Sequence, residues 1–164
     1  MTSIHNDVQT SFKEVMAAVA TPVSIVTAID GGMPYGTTVS AFASLSMNPP
    51  MVLVSLDRGS ETLELVRASG RFGLNILGAD QAATALSFAK KGGVGKFHGT
   101  RWDLDHGLPR IPGAPGWIAC TVADLVDGGD HIIALGTVDA AELTDGSPLV
   151  YHGRLFGTHL PHES

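Results

Sequence analysis

Phe12, Val15, Met16 and Val19 recur at the spacing of one helical stripe, which predicts a short helix over residues 11–20. Pro22 ends it, because proline cannot extend a helical ladder. Residues 23–29 form a β-branched run and read as a strand. Asp30-Gly31-Gly32 follows with hairpin-turn chemistry. From 36 to 47 the pattern alternates. Val39, Ala41, Ala43, Leu45 and Met47 fall on one side; Thr38, Ser40, Phe42, Ser44 and Ser46 fall on the other. This predicts a strand or extended loop with one apolar face. Pro49-Pro50 closes it, since neither residue can donate to a sheet ladder. The uninterrupted apolar run at 51–56 reads as a buried strand.

Asp57-Arg58-Gly59 reads as a turn, with Ser60 as cap of a helix over 61–68 and Gly70 at its C-terminal cap. Residues 71–77 read as a strand. Asp80 stands where it can cap a second helix, 81–90, which stops at Gly92-Gly93. Residues 94–116 are rich in Gly and Pro, lack periodicity and read as a long loop. Strands are predicted at 117–126 and 132–143, around Asp127-Gly128-Gly129-Asp130, and a last one at 149–156. Strands dominate, and regular strand–helix alternation is missing. That argues against a doubly wound parallel sheet and for a closed or partly closed antiparallel barrel. No repeat or linker interrupts the chain, so one domain over 1–164 is expected, with its core at about 12–156.

Composition adds constraints. At 164 residues the chain can bury a core without disulfides or metal. Charged residues are 16% of the chain, below the usual ~25%, which leaves apolar surface for a homo-oligomer. A net charge of -6 without a basic stretch argues against nucleic acid. No apolar run approaches the ~18 residues of a membrane span, and the N-terminus lacks a secretory signal, so a cytoplasmic protein is expected. The single cysteine, Cys120, excludes an internal disulfide framework and fits a core strand, as Trp102 and Trp117 fit core positions. The histidines are scattered without zinc spacing, so no metal is expected. The Ala89–Lys96 stretch resembles a phosphate loop only superficially. Phe97 stands where a hydroxyl residue is required, and His98 where a third glycine belongs.

Three segments could carry chemistry. Residues 37–46 are dense in hydroxyls, which strand propensity does not favour. They form either a solvated strand face or a bed on which a flat ligand approaches the backbone. Ser60 and Thr62 sit at a helix start, where free N–H groups and the helix dipole suit a phosphate, with Arg58 adding a charge; an ordinary capped helix explains the same residues. His131 is not explained by the hairpin turn that precedes it.

The blocks Gly36-x-Thr38-x-Ser40-x-Phe42-x-Ser44-x-Ser46-x-x-Pro49-Pro50, Ser60-x-Thr62, Phe72-x-x-Asn75-x-Leu77, Leu86-Ser87-Phe88-Ala89, Gly129-Asp130-His131 with Gly136-x-Val138, and Pro148-Leu149-x-Tyr151 follow in order. In this order and spacing they resemble the flavin reductase-like family, the reductase components of two-component flavin monooxygenases. The resemblance spans about residues 12–156. It implies a mainly β fold with short helices: an antiparallel, Greek-key split β-barrel of the FMN-binding type. It implies a homodimer with flavin near the subunit interface. Thr37, Thr38, Val39, Ser40 and Ser44 would line the flavin ring and ribityl chain, with Ala41 and Ser46 in the same cofactor-binding set. Asp57, Ser60 and Thr62 would lie near the ribityl phosphate, with Arg58 beside them. Phe88, Ala89 and Lys90 would lie close to the cofactor, and His131 would contact the nicotinamide nucleotide. The implied activity is hydride transfer from NADH or NADPH to FMN or FAD, with reduced flavin diffusing to a partner monooxygenase. No protein side chain is then required as acid, base or nucleophile. Two other activities compete: a non-catalytic flavin-binding electron carrier on the same fold, and an oxidase of a phosphorylated vitamin. Gly129-Asp130-His131 counts against the first. The lack of an Arg/Lys cluster for a second phosphate counts against the other.

Overall fold

A computed structural model describes residues 2–92 and 94–163, with the side chains of all but 2–5 and 94. The chain opens with helix α1 (Thr2–Ala17) and a short strand β1 (Thr21–Pro22). Strands β2 (Ser24–Asp30), β3 (Met33–Val39), β4 (Phe42–Met47) and β5 (Pro50–Asp57) follow. Helix α2 (Glu61–Ser69), strand β6 (Arg71–Ile76), helix α3 (Ala82–Ala89) and a 3₁₀ turn (Val94–Phe97) form the middle. The hairpin β7 (Asp103–Asp105) and β8 (Leu108–Arg110) precedes the long pair β9 (Gly116–Gly128) and β10 (His131–Leu143). A second hairpin, β11 (Val150–His152) and β12 (Leu155–Gly157), ends the fold. Among the described residues, no helix is long and apolar enough to cross a membrane.

The main sheet runs β3-β2-β6-β9-β10-β5-β4, every neighbour antiparallel. Its edge strands, β3 and β4, are joined only by Ser40 and Ala41. A flat sheet of this width would hold its edges ~29 Å apart, whereas three residue steps span at most ~11 Å. The sheet must therefore curl until its edges almost meet. Ala41 O accepts from Ser55 N at 2.9 Å, which fixes the crossing. The result is a barrel split along one seam.

Valines, leucines and one phenylalanine fill the interior: Val26, Val54, Leu56, Leu63, Val66, Phe72 and Leu74 are buried. A second cluster of Ile25, Leu77, Ala85, Phe88, Phe97 and Leu149 seats α3 and the 3₁₀ turn against the outside of the sheet. Cys120 is fully buried, and burial, with the charge of Asp139, pushes its thiol up to about 12; it remains a core residue.

Several expected elements differ. The first helix covers Thr2–Ala17, and its predicted stripe faces outward: Phe12 is 61% and Val15 63% exposed. The alternation at 36–47 breaks at Ser40 and Ala41 and resumes in opposite phase. Phe42 turns inward onto the barrel core, while Ala43, Leu45 and Met47 are exposed. A bulge between Ser44 and Ser46 shifts the register again. Asp80 does not cap α3. Gln81 takes that position, and its side-chain oxygen accepts from Gly78 N. Gly93, one of the pair expected to stop α3, lies outside the described residues. The expected loop at 94–116 contains the 3₁₀ turn and the β7–β8 hairpin, and the expected last strand is a hairpin.

Candidate active site

The seam holds a two-lobed cavity. The larger lobe, ≈ 380 Å³, is lined by Thr37, Thr38, Asp57, the start of α2 and residues 89–92 with Lys96. The smaller, ≈ 180 Å³, is lined by Thr37, Thr38, Val39, Ser40, Ala41, Ser55, Asp57 and His131. Thr37, Thr38 and Asp57 belong to both lobes, so the two adjoin.

Local rules build the larger lobe. Asp57 folds the turn: its carboxylate accepts from Gly59 N at 2.7 Å and its carbonyl from Ser60 N at 3.0 Å. Ser60, in extended conformation, then caps α2 by accepting from Leu63 N. The N–H groups of Glu61 and Thr62 are left without an acceptor among the described residues and stand at the positive end of the helix dipole. Thr62 is only 3% exposed, and it still lines the cavity. Lys90, Lys91 and Lys96 share this lobe with the carboxylates of Asp57 and Glu61. Lysines outnumber carboxylates there, so the lobe carries a positive balance suited to an anion.

Lys96 is more than a counter-charge. Its ammonium donates to Gly36 O and to Phe88 O, each at 3.1 Å, and so ties the end of α3 to β3. Burial pulls its pKa below the ordinary lysine value, and Glu61 opposes that pull. Thr38 works in the same direction, donating to Ala85 O at 2.6 Å. Its hydroxyl is therefore committed to holding α3 beside the bed.

The structure brings most of the sequence-derived residues together. Thr37, Thr38, Asp57, Ser60, Thr62, Ala89 and Lys90 line the larger lobe. Val39, Ser40, Ala41 and His131 line the smaller one. Four others lie apart. Phe88 is fully buried and offers only its carbonyl, through Lys96. Ser44 and Ser46 sit on β4, outside both lobes. Arg58 points away, donating to Gly129 O at 2.7 Å and to Asp127 at 2.9 Å. Sequence reasoning missed Ser55, Gly59, Glu61, Lys91, Gly92 and Lys96. Position next to Ser60 could have drawn in Gly59 and Glu61; nothing local marks Lys96, whose partner Gly36 is far away in the chain.

His131 starts β10 and pairs in register with Asp57 of β5. Its Nδ1 lies 2.7 Å from the Asp130 carboxylate, and that hydrogen bond holds the Asp130 pKa below its ordinary value. The contact fixes the ring so that Nε2 is free for a ligand.

The family model described as "flavin reductase like domain" matches residues 16–159. The chain belongs to this family. Its relatives include the reductase component of 4-nitrophenol 4-monooxygenase/4-nitrocatechol 2-monooxygenase of Rhodococcus opacus, 39% identical over 93% of this chain and 82% of that one. The FMN reductase (NADH) SmoA of Agrobacterium fabrum is 36% identical over 90% of this chain and 84% of its own. Among solved structures, the NADH:FAD oxidoreductase SgcE6 of Streptomyces globisporus, in complex with NAD and FAD fragments, superposes with a TM-score of 0.88. It is 30% identical, and the match covers 95% of each chain. The split barrel of this flavin reductase is thus the family's fold as well as its sequence type.

Proposed function

We propose that this flavin reductase transfers hydride from NADH to FMN or FAD and passes the reduced flavin to a separate monooxygenase. The carrying observation is the pair of lobes: a helix start with free N–H groups in one lobe adjoins a hydroxyl-lined, His131-bearing lobe at the seam. Its size falls within the ~300–1,000 Å³ of small-molecule sites. The relatives support the same reading, since they are named as monooxygenase reductase components and as an NADH-dependent FMN reductase.

The flavin, when bound, supplies the hydride acceptor. The protein's residues bind and orient. The free N–H groups at Glu61 and Thr62, with the Thr62 hydroxyl, suit the ribityl phosphate. Thr37, Ser40 and the backbone of 37–41 suit the ring and ribityl chain, since small hydroxyls allow close backbone approach. His131 lines the smaller lobe, where a nicotinamide would stack. Holding both rings in contact is the main catalytic service. Purified protein with added FMN or FAD is expected to oxidise NADH well above the flavin-only rate. A rate equal to that blank in every flavin and nicotinamide combination would remove the proposal.

The protein is proposed to act as a cytoplasmic homodimer, in which a second copy covers α1. Every described side chain of α1 before Ala17 is exposed, including Val8 at 64% and Phe12 at 61%. An apolar helix face of this kind calls for a partner. Ties to its own chain are polar: Gly153 N to Ala17 O at 2.7 Å and Arg154 to Glu14 at 2.8 Å. Phe12→Glu is expected to yield monomers in light scattering at micromolar concentration. An unaltered dimer mass would exclude this face as the interface.

A further inference from the structure

Arg58 lies between two cavity-lining residues, Asp57 and Gly59, yet lines neither lobe itself. All its polar contacts go to one turn. Its main-chain N–H donates to Asp130 O at 3.1 Å. Its Nε donates to Gly129 O at 2.7 Å, and its Nη2 to the Asp127 carboxylate at 2.9 Å. That turn carries His131, and Asp130, which orients the imidazole, is 92% exposed on its side chain. The β9–β10 ladder closes the hairpin, with His131 opposite Gly128, and the Arg58 contacts tie its tip to the end of β5. Gly129 has a φ of 67°, and a Cβ built there would touch nothing within 4 Å.

We propose that Arg58 is a positioning residue that holds the 127–130 turn, and through it His131, at the smaller lobe, and that it does not contact the flavin phosphate. This rests on the reading of the cavity as a flavin and nicotinamide site. The guanidinium fork is spent on the turn, so it is directed away from the anion lobe. The ion pair with Asp127 is exposed on both sides, 47% and 84%, and contributes little to global stability. Its consequence is local: it joins the loop that begins the phosphate lobe to the turn that begins the nicotinamide lobe. Lysine at this position would keep the charge and lose the fork, and could not serve Gly129 O and Asp127 together.

The test uses the full-length protein as wild type, Arg58→Ala, Arg58→Lys, His131→Ala and the Arg58→Ala/His131→Ala double variant. FMN affinity is read from flavin fluorescence, NAD⁺ affinity by calorimetry on FMN-loaded protein, and turn order from amide hydrogen exchange at 128–131. In Arg58→Ala, FMN affinity is expected to stay within about twofold, while NAD⁺ binding weakens about fivefold, the coupling typical of one hydrogen-bond network. Exchange quickens at 128–131 and not in α2. Arg58→Lys restores only part of both effects, and Arg58→Ala adds nothing once His131 is gone. Weakened FMN with unchanged NAD⁺ would make Arg58 a phosphate ligand and overturn the proposal. So would unchanged exchange at the turn, or full additivity with His131→Ala, which would mean direct contact with the nucleotide. Wild-type protein that binds neither nucleotide would sink the functional reading instead, a result distinct from any of these.

Discussion

Ser60→Asp is expected to bind riboflavin as the wild type does and to lose FMN affinity by a factor on the order of 10²–10³. Aspartate caps helices as well as serine, so α2 and its cap to Leu63 N remain. The new carboxylate nevertheless faces the larger lobe, beside the unpaired N–H groups of Glu61 and Thr62. Two unit charges about 4 Å apart near a protein surface repel by about 4 kcal/mol, and every ~1.4 kcal/mol is tenfold in affinity. Riboflavin lacks the phosphate and escapes this repulsion. Fluorescence titration of both flavins, with a thermal melt as control, checks the result. Equal loss of both flavins, or no loss of either, would show that the phosphate does not sit at the start of α2.

This contrast also explains which parts of the molecule were legible in the sequence. Helix α2 runs from its Ser60 cap to a left-handed Gly70, as the residues indicate, because caps are local chemistry. The β9–β10 pair was legible for the same reason, through its turn. The β4 phase was not. Alternation assumes an unbroken strand, and the crossing at Ser40 and Ala41 resets it, so the face with Leu45 and Met47 lies outside. Phe42, placed with the hydroxyls by alternation, is partly buried and packs against the core. The stripe on α1 was read correctly as apolar, but periodicity cannot say whether such a stripe meets its own chain or another. Long-range polar contacts were the least legible. Lys96 reaches Gly36 across 60 positions, and Arg58 reaches Gly129 across 71. Arg58 meets Gly129 because β5 and β10 pair in register up to Asp57 and His131, and Lys96 meets Gly36 because the 3₁₀ turn packs on β3. The cavity residues that motif order did identify lie on β3 and the crossing after it, in the turn and cap that start α2, at the end of α3, and at His131.

The seam is only as firm as the sheet behind it, and Gly73→Ala is expected to destabilise that sheet by about 3 kcal/mol. Gly73 lies in β6, paired with Thr27 on one side and Ala119 on the other. A Cβ there would stand 2.5 Å from the Thr27 hydroxyl and 2.6 Å from Cη2 of Trp117. Neither neighbour can yield easily. Trp117 is 2% exposed and Thr27 is fully buried, and the Thr27 hydroxyl donates to Pro109 O at 2.7 Å, anchoring the β7–β8 hairpin. For a chain of this length, such a loss lowers Tm by roughly 6–12 °C. The same geometry specifies the rescue. Trp117→Phe removes the distal indole atoms that meet the new methyl group. It also removes an Nε1–H that is buried without a hydrogen-bond partner among the described residues, so no bond seen there is lost with it. The double variant is therefore expected to melt well above the sum of the two single losses, with a coupling of about 1–2 kcal/mol between neighbouring sites. Melting curves of the four proteins measure that coupling directly. Strict additivity would mean that Gly73 is required for its backbone rather than for the space the indole occupies.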